Sequence, residues 1–301
     1  MATQQISYPL APPTLSGNVL TVDMALKQPT RITRRIMDLS LQKFIVTRIF
    51  ASGGAVSGGA VIYDQATLNE LYTDRDVEQV MPGDEFPIVG SQRPVPQVAR
   101  VVKDGGKFFI TDEARDRNDI SFFNNQTTQL SNTIVRKVNT RSVATLEAAI
   151  SALGGAGTFT GHNWGTVVTG GSSQTNNSGW PAADFAQAQY LADVDELGVE
   201  YDLWLVNPKQ KMQLAITYGS ALNDVLASNG IREVFASNRI PNGTGYAVAT
   251  GQVGELRIEK ALSTETWREE KTQRTWVQAD VRPVMYVTNP YSIKKVTGLD
   301  G

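Results

Sequence analysis

The chain has no cysteine, one histidine and no long apolar run, and each shortage closes off a class of function. Without cysteine there is no disulfide framework, no thiolate nucleophile and no thiolate metal site. The single histidine, His162, excludes any metal centre built on several imidazoles and forces any histidine-based triad through that one residue. It sits in the small polar stretch GTFTGHNWG at 157–165 with no nucleophile motif beside it, so a loop role is the expectation and no catalytic residue is assigned. No segment approaches the ~18 apolar residues that cross a bilayer. Residues 1–7 also lack the basic-then-apolar order of a secretory signal, which reads as a soluble, cytoplasmic chain.

Nucleotide and metal motifs are missing as well. Gly105-Gly106-Lys107 is followed by Phe108 and lacks the earlier glycine and the hydroxyl of a phosphate loop. The pairs Gly53-Gly54 and Gly58-Gly59 do not form a dinucleotide fingerprint. Asp193, Asp195 and Glu196 fall near the end of an expected helix and point in different directions, which suits a solvated face better than a cation site. Trp164, Trp180, Trp204, Trp267 and Trp276 are scattered among different expected elements, as core or interface anchors would be, and no stacking platform is expected. No cofactor and no metal are expected.

What is present is size and an uneven charge. The 301 residues can bury a sizeable core. With 28 basic and 30 acidic residues the net charge of −2 lacks the excess of a dedicated nucleic-acid binder. Residues 1–50 nevertheless carry six basic side chains against two acidic ones, and residues 64–85 carry seven acids against Arg75 alone. Arg31, Arg34 and Arg35 on one side, and Asp74, Asp76, Glu78, Asp84 and Glu85 on the other, are therefore candidate inter-subunit contacts, the arginines favouring protein over DNA.

Along the chain, Pro9, Pro12, Pro13 and Pro29 make residues 1–30 an extended arm, able to reach on the order of 100 Å. Residues 31–50 carry a helical stripe, Ile32, Ile36, Leu39, Ile45 and Ile49, with Ser40 placed to restart a second helix. Two strands, SGGAVSGGAVIYDQ and PQVARVVKDGGKFFITDEA, flank an acidic, proline-punctuated excursion and predict a protruding hairpin. From Asp119 to Leu153 there is no proline or glycine, which predicts one helix of ~45 Å stopped by Gly154, Gly155 and Gly157. Residues 154–180 are expected to be loop or small β with little core of their own. Beyond them, Pro181 opens a helix to Leu197, Val199 to Val206 reads as a buried strand, and Asn207-Pro208 starts another helix. A short helix is expected at 219–229, a sheet from Ile231 with turns at Asn242-Gly243 and Gly251, and long strands at 272–289 and 291–296.

This order of parts, an arm, a short helix, a long excursion, one long helix, an α/β region and a return to β, resembles the Hong Kong 97-like fold of tailed-phage major capsid proteins. More specific phrasing lies in VMPGDEFPIVG (80–90), KFFITDEARDRND (107–119), DLWLVNPKQ (202–210), VGELRIEKALSTETWRE (253–269) and RPVMYVTNPYSIKKVTGL (282–299), which is similar to capsid proteins of phages infecting actinobacteria. The resemblance implies an α+β chain with an N-arm at 1–31, the N-terminal helix region of the P-domain at 32–51, and an E-loop hairpin at 52–106. The P-domain with its spine helix follows at 107–153, the A-domain at 154–250, P-domain return strands at 251–288, and a closing A-domain strand at 289–301.

The implied function is the icosahedral head enclosing double-stranded DNA, built from hexamers and pentamers of this chain in the host cytoplasm, with no enzymatic activity. Implied partners are a separate scaffolding protein, a portal, possible decoration proteins, and DNA held without sequence-specific contacts; no membrane is involved. Two departures from the family pattern matter. The first helix starts too soon after Met1 for a cleaved scaffold-like delta domain, and residues 51–102 contain no lysine, so a shell without covalent cross-links is expected. Gly53, Gly54, Gly58, Gly59, Gly154 and Gly155 are candidate hinges between hexamer and pentamer shapes. An encapsulin-like cargo compartment is the alternative. Pro9, Pro12 and Pro13 forbid the inner-wall helix such shells use for cargo. A soluble hydrolase, the third reading, would be a monomer or small oligomer.

Overall fold

The computed structural model describes residues 21–41, 44–67, 73–90 and 94–300. The chain divides into two compact units: the described residues within 1–44, 102–138 and 260–283 form the first, and those within 45–101, 139–259 and 284–301 the second. Three elements run through both: helix α5 (Ile120–Ala152) and strands β9 (Gly254–Glu269) and β10 (Arg274–Val287).

The first unit opens with a departure from the expected extended arm. Residues 1–20 lie outside the described residues, but Val22–Lys27 is a short helix, α1. None of the forbidding prolines falls inside it, and Pro29 sits at the first turn of α2 (Pro29–Leu41), where a missing N–H costs nothing. So short a helix is marginal alone. Here Val22, Ala25 and Leu26 are buried, the Val22 N–H donates to Asn118 Oδ1 at 3.0 Å, and the Thr266 hydroxyl donates to the Leu26 carbonyl. The expected break at Ser40 is also displaced, because Ser40 lies within α2 and the next helix, α3 (Val46–Ile49), starts later. In the second unit Asn139 Oδ1 accepts the Ile45 N–H just before α3.

The two strands expected around the excursion are four: β1 (Ala51–Ala55), β2 (Ala60–Tyr63), β3 (Gln97–Arg100) and β4 (Asp104–Thr111). Only β2 and β3 pair with each other, antiparallel. The glycines at 58 and 59, both at positive φ, turn the chain between β1 and β2. In the second unit β1 then pairs parallel with β9, and in the first β4 pairs antiparallel with β10.

The long helix is found within a residue of its expected ends. Gly154 follows it at φ +60, the left-handed geometry that ends helices. In the first unit α5 buries Phe123, Ile134, Val135 and Val138, and the Ser131 hydroxyl donates to the Ile36 carbonyl of α2. In the second it buries Val143, Leu146, Ala149 and Ile150.

The second unit holds a five-stranded sheet in the order β5-β11-β8-β6-β7, with ranges Thr158–Thr160, Ile293–Thr297, Gly245–Val248, Leu203–Val206 and Glu233–Ala236. Strand β6 is buried at all four residues, shorter than the expected run from Val199 because Glu200 and Asp202 stay accessible. Helices α6 (Pro181–Val194), α7 (Pro208–Tyr218) and α8 (Leu222–Ser228) complete the unit. Asn207 caps α7 by accepting the Lys209 N–H at 3.0 Å, as its sequence predicts. The α6 helix stops short of Leu197 because Glu196 and Gly198 both take positive φ.

The expectation of little core in 154–180 is corrected by Trp164, which is 1% exposed and packs its ring edge-on to Phe185 at 5.8 Å. Its indole N–H donates to Asp184 at 2.7 Å. Asp184 is fully buried and also accepts the backbone N–H of His162, whose ring Nδ1 lies 2.6 Å away. The one histidine thus belongs to a structural network.

Candidate assembly interface

The segment beyond the β2–β3 pair presents an unusual surface. In the described residues from Thr73 to Gly90, Val77, Met81, Phe86 and Ile88 are exposed by 72–85%. Asp74, Asp76, Glu78, Asp84 and Glu85 are exposed beside them. Fully burying an apolar side chain of this size is worth about 1.5–3 kcal/mol, so four of them left in water within one segment forgo a sizeable stabilisation. The segment still has local order. Asp74 clasps Gly90 through its backbone N–H to the Gly90 carbonyl at 3.1 Å and its carboxylate from the Gly90 N–H at 2.6 Å. At Pro82-Gly83 the chain turns, with Gly83 at φ +98 and the Asp84 N–H donating to the Met81 carbonyl.

The root of this segment is anchored. Val61, Val284 and Tyr286 are buried together, Tyr63 stacks on Tyr286 with ring centroids 4.7 Å apart, and the Ala66 N–H donates to the Thr288 carbonyl. The Tyr286 hydroxyl and Arg257 Nε both donate to Glu255 Oε2. Those two donors, the tyrosine first, hold the Glu255 carboxyl below its ordinary value, while burial pushes Tyr286 up to about 12. A carboxyl lowered in the folded state stabilises above its ordinary value of 4.5, and that contribution is lost as pH falls through the lowered folded value. The near-ultraviolet dichroism of the Tyr63–Tyr286 stack is therefore expected to fade in acid, and Glu255→Gln to remove that transition. An unchanged titration in the variant would show that another group holds the root.

In the first unit, Arg31, Arg34 and Arg35 lie at helical spacing on the exposed face of α2, opposite buried Ile32 and Ile36. That unit also holds a feature the sequence reading missed. The tryptophans are not all dispersed: Trp267 on β9 and Trp276 on β10 stack with centroids 6.3 Å apart, and Phe109 on β4 meets Trp276 edge-on at 5.3 Å. Lys107 Nζ lies 4.4 Å from the Trp276 centroid, and the Arg274 guanidinium 4.8 Å from that of Phe109. Glu269 orients the group by accepting the Trp276 indole N–H at 2.9 Å and the Thr272 hydroxyl. The β10–β4 register sets Trp276 opposite Phe109 and Gln278 opposite Lys107, so alternate residues share this face while Phe108, Ile110 and Val277 are buried on the other. Only the register could have revealed it.

Of the candidate hinges, Gly54, Gly58, Gly59 and Gly154 take positive φ. Gly53 does not, and a side chain there would overlap Glu255 and Arg257. Gly155 has an ordinary φ and open space around it. Asp195, weighed above as part of a cation site, pairs with buried Lys294 at 3.2 Å. Among the described residues no group of three or more metal-ligating side chains occurs, and no helix is long and apolar enough to cross a membrane.

The described residues thus form a mixed α+β chain whose segment 73–90 is exposed, apolar and acidic. The fold is similar to a structure from Microbacterium phage Oxtober96, at 12% identity and a TM-score of 0.59, over 99% of this chain and 96% of that one. It is also similar to the capsid of cyanophage P-SCSP1u, at 15% identity and a TM-score of 0.57, over 96% of this chain and 93% of that one. A virus-like particle from Pyrococcus furiosus matches at 12% identity and a TM-score of 0.58, over 88% of this chain and 98% of that one. No curated protein matches the sequence. The family described as phage capsid protein matches residues 94–296, more than half of the chain. The chain belongs to that family, and it is a major capsid protein with the Hong Kong 97-like fold.

Proposed function

We propose that this chain builds the head of a tailed phage, similar to those infecting actinobacteria, as hexamers and pentamers assembled in the host cytoplasm around double-stranded DNA. The observation that carries the reading is the exposed apolar and acidic segment 73–90, whose surface makes sense only when covered by neighbours. On the implied layout, residues 1–31 are the N-arm, 52–106 the E-loop and 107–153 the P-domain with its spine helix. Residues 154–250 are then the A-domain, with 251–288 and 289–301 returning to the P-domain and A-domain. Arg31, Arg34 and Arg35 of one copy meet the acidic segment of another. A separate scaffolding protein, a portal and decoration proteins are the partners this layout calls for, and the chain performs no catalysis.

Negative-stain microscopy of the chain expressed alone and beside the phage's scaffolding protein tests this. Closed shells or capsomer rings are the expected result; only monomers or dimers in both arms would sink it. With no lysine in residues 51–102, shells should also dissolve to single chains on boiling in detergent. Gly58→Ala with Gly59→Ala, both at positive φ, should give misassembled or single-sized particles. Wild-type shells from that variant would remove these glycines as hinges.

A further inference from the structure

We propose that the first unit holds a binding site for inorganic phosphate, in which Lys103 and Lys107 face the anion and Asp280 accepts a hydrogen bond from its remaining proton. One copy of the chain suffices to form it. The site is a pit of about 290 Å³ between β4 and β10, with Lys103, Gly105, Lys107, Gln278 and Asp280 among its lining. The strand register sets Asp280 opposite Gly105 and Gln278 opposite Lys107. A side chain at 105 would lie 2.6 Å from the Ala279 carbonyl oxygen and 2.9 Å from Asp280 Cβ, so only glycine fits beside that carboxylate. Asp280 is 1% exposed. Its Oδ1 accepts the Lys260 ammonium at 3.0 Å, while Oδ2 has no hydrogen-bond partner among the described residues and lies 3.9 Å from Lys103 Nζ.

A buried carboxylate oxygen without a donor is destabilising, so Oδ2 calls for one. The two rim lysines call for an anion and repel metal cations. An anion that carries its own proton meets both demands, and hydrogen phosphate is such an anion. Sulfate and the diesters of a nucleic-acid backbone carry no proton near neutral pH and set charge against charge at Asp280. A phosphate monoester loses its second proton at about pH 6, so it fits only in acid. Lys103, with a side chain 53% exposed, can swing from Oδ2 onto the anion, which uncovers that oxygen. Lys107 reaches in from the other side of Gly105, its ammonium now 4.4 Å from the Trp276 ring centroid. Because a ligand that binds only the folded chain stabilises it, occupancy ties the stability of the first unit to free phosphate.

Isothermal titration of the full chain with sodium phosphate at about pH 8, beside sulfate and glycerol phosphate at matched ionic strength, tests the site. Phosphate should bind with a preference of about tenfold or more over both. Binding is measured directly because sulfate and phosphate both stabilise folded proteins by exclusion from their surface, with or without a site. Lys103→Ala, at an exposed position, should weaken phosphate binding by about tenfold. Asp280→Asn should erase the preference, since an amide donates to sulfate as readily as it accepts from phosphate. A chain that takes up no phosphate, or binds sulfate equally well, overturns the proposal, and so does phosphate binding that Lys103→Ala leaves unchanged. If Asp280→Asn does not fold, the wild type gives the same reading: at about pH 5 glycerol phosphate gains its proton and should approach phosphate in affinity while sulfate stays weak. No rise for glycerol phosphate would remove Asp280 from the site.

Discussion

Gly254→Ala is expected to send most of the chain to the insoluble fraction, with any soluble remainder losing about 3 kcal/mol or more of stability in urea. A Cβ at this position would overlap the Tyr286 carbonyl oxygen and lie 2.8 Å from Val287 Cα and 3.0 Å from the Thr288 nitrogen. All three are backbone atoms of the neighbouring strand and its exit, so no side chain can rotate away. The Val253 carbonyl accepts the Thr288 and Asn289 N–H groups at the same spot, and spreading the strands would break those bonds. It would also shift Tyr286, and with it the Glu255 hydrogen bond and the Tyr63 stack that hold the projecting segment. Gly155→Ala is the matched control: with an ordinary φ and nothing within 4 Å, it should change stability by no more than about 0.5 kcal/mol. Equal behaviour of the two variants would mean that the close approach at Gly254 is not real.

Asp184→Ala should cost about 2–5 kcal/mol, read as a lower urea midpoint of the soluble subunit. The carboxylate is fully buried and receives the indole N–H of Trp164 and the backbone N–H of His162. Its removal strands both donors away from water, at about 1–3 kcal/mol each. It also opens space beside Trp164 and Phe185, in a core where the Phe185 and Trp204 rings lie 4.6 Å apart. Asp184→Asn keeps one acceptor and should lose less. An alanine variant as stable as the wild type would mean that water already supplies these donors.

Much of the helical framework was legible because its signals are local. A run without proline or glycine spelled out α5, and Asn207-Pro208 and Pro181 marked helix starts. The acidic segment was legible as a surface because seven acids against one arginine cannot be buried together. What failed was everything decided by partners far away in sequence. Val22–Lys27 is helical because Asn118 and Thr266 hold it, and β1 and β4 abandon one another for β9 and β10. Asp184 sits in the first turn of α6, and what fixes it is His162 and Trp164, from the segment before that helix. The ledge of Lys107, Phe109, Trp267, Arg274 and Trp276 follows from a strand register that no local pattern encodes.

The place of β11 bears on when a newly made chain can join others. It lies between β5 and β8, yet it is translated after every other strand of that sheet, with 44 residues separating Val248 from Ile293. Until then β5 has no neighbour and β8 has one bare edge, the kind of edge that recruits foreign strands. At the roughly 5–20 residues per second of synthesis, the β8 edge stays bare for on the order of 2–10 s in each chain. Lys294 gains its buried seat against Asp195 and the Ala156 carbonyl only when that strand arrives. Several ribosomes on one message would hold such half-made sheets close together. Arrival of β11, which covers β5 and the open side of β8 together, is the step that removes both bare edges at once.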